Sequence, residues 1–127
     1  MSTAREQVRN ELLTDGLIDY VDLGAVNSQV SRHNPSASVS EVQHESLEVI
    51  RALVSEGLFE LGDLSGDGGT LRVWSRSLDE SLEKISDAYV THHDDKPGWV
   101  FFAWMELTNK GEQVARALQA EAEDPQT

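Results

Sequence analysis

Residues Leu107–Leu118 read LTNKGEQVARAL and follow directly on the most apolar run of the chain. The pattern is that of a strand passing into a helix. Leu107 ends the strand in the core, Thr108 or Asn109 opens the helix, and Gly111 lets the helix approach its neighbour closely. Val114, Ala115 and Leu118 then recur at helical spacing and form its inner face. Upstream, Trp99–Leu107 reads WVFFAWMEL, too short to span a bilayer, and is expected to be a buried strand. Alternation puts Trp99, Phe101, Ala103 and Met105 on one side and Val100, Phe102 and Trp104 on the other. If that strand lies at a sheet edge with helices on one face only, its other side becomes an apolar patch suited to a partner.

Working further back, Ser77 and Glu80 have capping-box spacing, and Leu78, Leu82, Ile85 and Tyr89 share one face, so a helix is expected over Leu78–Val90. It is expected to end at the polar turn THHDDKPG. Leu58–Leu61 and Leu71–Trp74 read as two short strands joined by GDLSGDGG, whose glycines and aspartates suit a hairpin loop. Ser38 and Glu41 form a second capping pair before the widest apolar stripe, Val42, Ser46, Val49, Ile50, Leu53 and Val54, which stops at Gly57. Asp22 caps a shorter helix carrying Leu23, Val26 and Val30, ended by Asn34 and Pro35. The first helix runs from about Ala4 to Asp15, with Thr3 and Glu6 at its start and Val8, Leu12 and Leu13 inward.

The sum is an α+β fold of about five helices with a small antiparallel sheet, a hairpin plus one aromatic strand. The 127 residues fit one domain, taken as 1–121, with 122–127 as a flexible acidic tail. Ten Lys plus Arg against twenty-three Asp plus Glu give a formal charge of −13, which disfavours polyanions such as nucleic acid and anionic membrane. No cysteine is present, so disulfides and thiolate metal sites are excluded. The opening MSTAREQVRNELL lacks the apolar stretch of a secretion signal, and a cytoplasmic location is expected.

Three helices followed by a glycine-turned hairpin, with the third helix running into ALVSEGLFEL, resemble the winged helix-turn-helix family. The closing LTNKGEQVARAL is similar to the LTxxGxxxAxxL step of bacterial winged-helix regulators. The whole chain, including DGLIDYVDLGAV, LEVIRALVSEGLFELGDL and the Trp99 strand leading into LTNKGEQVA, also resembles a group of uncharacterised actinobacterial proteins of similar length, a likeness that brings no known active residue with it. The resemblance implies that the helix from about Val39 to Glu56 would enter the DNA major groove. Its outward positions are Glu41, His44, Glu45, Glu48, Arg51 and Ser55, and Glu41–Glu56 carries four acids and one base, a local charge of −3. A carboxylate held against a phosphate costs energy and releases no counterions. Glu60, Asp63 and Asp67 likewise outnumber Arg72 in the hairpin.

His92, His93, Asp94 and Asp95 are metal-capable types, but adjacent residues in a turn seldom converge on one ion, and a polar helix end is the expected role. GDLSGDGG lacks the ligand register of a calcium loop, with Trp74 where a bidentate Glu would stand. No nucleophile–base pairing or phosphate-loop frame is visible, so neither catalysis nor a cofactor is expected. The function expected is that of a small acidic, non-catalytic protein-binding factor of inhibitor, immunity or accessory type. Its partner is a protein of basic character, with Glu41, His44, Glu45, Glu48, Arg51 and Trp104 as the contact residues and a homodimer left open. The alternatives are a dimeric winged-helix transcriptional regulator and a small-molecule sensor or enzyme with a pocket under the aromatic strand.

Overall fold

Capping and apolar spacing set the helices, and the sheet closes around them. The computed structural model describes residues 3–64 and 69–122. Their order is α1 (Ala4–Asp15), β1 (Val21–Asp22), α2 (Leu23–His33), α3 (Val39–Ser55), β2 (Phe59–Leu64), β3 (Leu71–Val73) and α4 (Leu78–Ser86). A π-helical turn (Asp87–Thr91), α5 (Lys96–Val100), β4 (Trp104–Leu107) and α6 (Asn109–Ala122) follow. The fold is α+β. The loop residues 65–68 of GDLSGDGG and the acidic residues 123–127, on which the loop and tail expectations fall, lie outside the described residues.

Each early helix begins where a side chain satisfies a free backbone N–H. Thr3 Oγ1 accepts from Glu6 N at 3.1 Å and Asp22 Oδ1 from Ala25 N at 2.7 Å. Ser38 with Glu41, and Ser77 with Glu80, make complete capping boxes. Such a cap is worth about 1 kcal/mol. At the other end of α3, Gly57 takes φ of +75°, Gly57 N donates to Val54 O and Leu58 N to Leu53 O. This pair of hydrogen bonds around a left-handed glycine turns the chain sharply from α3 into β2.

The core forms where the inner faces meet: Val8, Leu12 and Leu13 of α1, Val26 and Val30 of α2, Val49, Ile50 and Leu53 of α3, with Phe59, Met105 and Ala115. The sheet order is β1–β4–β2–β3 and every pairing is antiparallel. Phe59 lies opposite Leu107, Leu61 opposite Met105, and Val21 opposite Met105 on the other side. Side chains of this set face the helices and are buried or half-buried.

Three expectations are corrected. The run Trp99–Leu107 is not one strand: Trp99 and Val100 end α5, Phe101–Ala103 turn, and only Trp104–Leu107 is extended. Pro97 sits in the first turn of α5, where its missing N–H costs nothing, and the Trp99 indole N–H donates to His93 O at 2.9 Å. These two features favour a helical turn over a strand. The strand is also not at an edge; β4 is hydrogen-bonded on both sides, and the short β1 and β3 are the edges. Finally, the helix expected to reach Val90 is α-helical only to Ser86 and widens into the π-helical turn, where Gln43 Nε2 donates to Tyr89 O at 3.2 Å.

Candidate interaction surface

The outward residues of α3 form a polar face that other helices reach across. Glu41 Oε1 accepts from Ser38 N at 2.7 Å, and hydrogen bonds from the Ser38 backbone and then its hydroxyl hold the Glu41 carboxyl below the usual carboxylate range. Arg5 of α1 grips both oxygens of Glu45, at 2.7 and 2.6 Å. That hydrogen bonding, opposed by burial, raises the pKa of the Arg5 guanidinium above its ordinary value. Arg51 bridges to Asp79 of α4 at 2.8 Å and lies 3.7 Å from Glu48. His44 is exposed and borders, with Glu41 and Glu45, a cleft of about 540 Å³ between α2 and α3. So five of the expected contact residues, Glu41, His44, Glu45, Glu48 and Arg51, do share a face, and four of them are already engaged. Trp104 stands apart from them on β4.

The expected polar turn at His92–Asp95 is partly built into the interior. His93 stacks on Trp99 with ring centres 5.3 Å apart, and Tyr89 packs against both rings. The Tyr89 hydroxyl donates to Asn27 Oδ1, while Ser46 Oγ lies 3.2 Å away, placed to donate to the phenol oxygen. Burial pushes the Tyr89 phenol above its ordinary pKa of 10.0, and the Ser46 bond partly offsets this. These groups tie α2, α3 and the π-helical turn together. Among the described residues no three side chains of the His, Asp or Glu type come together as a metal site.

The outward face of the sheet is built differently. Register places Asp22, Trp104, Gly62 and Val73 in one row across the four strands. The Asp22 carboxylate is used as the α2 cap, so the row presents Trp104 and Val73, with no side chain between them at Gly62. The Trp104 ring is stacked on Phe101, centres 5.5 Å apart and nearly parallel at 11°, and Phe101 is 59% exposed. In the next row Glu106 stands directly across from Glu60. Both are exposed, and neither has an ion-pair partner among the described residues. Two carboxylates opposite one another on a strand pair repel. Phe101 was expected within a buried strand, and Glu60 and Glu106 were not singled out as a pair, because pairing register is a long-range property.

The arrangement offers hydrogen-bond acceptors and aromatic surface to a ligand. Comparison with protein-family models, with curated proteins and with solved structures finds no match to this chain.

Proposed function

We propose that the protein is a small, acidic, non-catalytic binding factor, of inhibitor, immunity or accessory type, whose partner is a basic protein. The observation that carries this reading is how the charges are distributed. Arg5, Arg9, Arg32, Arg51 and Arg116 are each paired with a carboxylate of the same chain. Arg76 lies over the Trp74 ring, and Lys110 donates to Glu56 O. The excess of acids over bases, −13 overall, is therefore left facing outward with few free cations among it. Such a surface speeds encounter with a positively charged protein and repels polyphosphate. A cytoplasmic setting belongs to the same reading, supported by the fact that no helix among the described residues is long and apolar enough to cross a membrane.

A DNA-binding regulator of winged-helix type is the second reading, favoured by the order helix, strand, helix, helix, hairpin of the first six elements. Against it stands α3, whose polar face is acidic and is engaged by Arg5 and by Asp79 of α4. The two readings separate on salt. A partner captured from the native host, purified and recombined with the chain, is expected to form a stoichiometric complex that weakens as salt rises from about 50 to about 200 mM, while duplex DNA does not bind at either concentration. Tight duplex binding at low salt with a steep salt slope overturns the proposal in favour of the regulator.

A further inference from the structure

We infer that the outward face of the sheet, at Trp104, Phe101, Glu60 and Glu106, is the docking site for an arginine-bearing segment of the basic partner. The inference rests on the binding-factor reading and adds to it the place and the chemistry of contact. Aromatic rings and carboxylates together fit a guanidinium group: its flat face stacks on a ring while its N–H fork bonds carboxylate oxygens, which a compact ammonium does less well. The chain already uses the first of these contacts internally, with Arg76 centred 5.0 Å over Trp74. At the outward face neither Glu60 nor Glu106 has an ion-pair partner among the described residues, and Arg76, held over Trp74, lines the same cleft as Glu60 without pairing with it.

Three observations point to a foreign cation. Glu60 and Glu106 face each other across β2 and β4 at a cost to the sheet, and none of the chain's described cations comes over to relieve it. Phe101 occupies a turn where a polar residue would be tolerated, yet 59% of it is exposed against Trp104. Val73, 52% exposed and aligned with Trp104 across the side-chain-free Gly62, extends the apolar strip toward the β3 edge. A second copy of the chain is a poor occupant, since a two-fold contact would lay one acidic face on another of the same sign. Residues 123–127, EDPQT, are acidic too and bring no cation.

The test uses the full chain, isotope-labelled and assigned, titrated with a capped peptide of alternating arginine and valine. Expected are shifts of the Trp104 indole N–H and of the Glu60 and Glu106 amides, with the Trp99 indole, bonded to His93 O, unmoved. Phe101→Ser and Glu106→Gln should each weaken binding about fivefold, and the lysine version of the peptide should bind more weakly than the arginine version. Shifts confined to α3, or equal binding by both variants, overturn the docking site while leaving a basic partner in place. No binding by millimolar peptide overturns it, and failure of the basic partner itself would instead appear in the reconstitution described above. Concentration-dependent broadening of the same signals without peptide assigns the face to a second copy and also overturns the inference.

Discussion

The β2–β4 pair is finished in two different ways along its length. At the end where Leu58 and Leu107 stand, Thr108 ties the strand pair to the start of α6. Thr108 N donates to Leu58 O at 3.1 Å, Thr108 Oγ1 donates to Gly57 O at 2.6 Å and accepts from Gly111 N at 3.0 Å. Gly111 is buried so tightly that a Cβ built on it would fall 2.0 Å from Leu58 O. Further along the same two strands Glu60 opposes Glu106, and half-buried Trp104 stacks on an exposed phenylalanine. The satisfied end is what holds α6 to the sheet. Glu60, Phe101 and Glu106 of the other stretch are exposed, where substitutions usually change stability little.

Substitutions should divide along that line. The largest effect is expected for Gly111→Leu, because the obstructing atom is backbone and cannot swing aside; a loss above about 3 kcal/mol should appear in chemical denaturation. An unchanged midpoint would mean that α6 is not locked by this contact. Next comes Tyr89→Phe, which strips Asn27 and Ser46 of their shared partner and should cost about 1–2 kcal/mol. Tyr89 also gives a pH signature. Its folded pKa lies above the unfolded value of about 10, so its contribution is fully present below that pH and is lost as pH rises through the folded value. Melting curves across alkaline pH should therefore fall less steeply for Tyr89→Phe than for the parent chain. Thr108→Ala, removing a helix cap and the bond to Gly57 O, should cost about 1 kcal/mol by the same denaturation measurement.

On the outward face the sign should reverse. Glu106→Gln relieves the repulsion with Glu60 and is expected to stabilise the chain by about 0.3 kcal/mol, an effect that high salt should diminish. A loss of stability in its place would show that Glu106 has a structural partner, and the contrast between the two ends of the strand pair would collapse. The smallest expected change is a few tenths of a kcal/mol, so the comparison needs paired curves at one temperature.

Much of the fold was legible because it is local. Ser38 with Glu41, Ser77 with Glu80, and Gly57 after the α3 stripe mark helix ends within four residues of sequence, and the structure has caps and a left-handed turn at those points. The Leu107–Leu118 reading also carries through: Gly111 and Ala115 are buried, and Thr108 caps. What escaped is what depends on distant chain. An aromatic run with mixed spacing suits strand or helix equally, and the bond from the Trp99 indole to His93 O, with Pro97 ahead of it, decides for α5. A two-residue strand such as β1 is below any periodicity signal. The outward positions of α3 were readable from helical spacing, but their partners are not: Arg5 lies 40 residues from Glu45, and Asp79 lies 28 from Arg51. Those ion pairs link the outward face of α3 to α1 and α4.

The central claim, that binding uses the open sheet face and α3 serves the fold, is tested most directly by hydrogen exchange on the complex reconstituted with its captured partner. Expected is new protection at Phe59–Leu64 and across the Phe101 turn into β4, with the amides of Val39–Ser55 exchanging as in the free chain. Protection gained along α3, with the sheet unchanged, would contradict it.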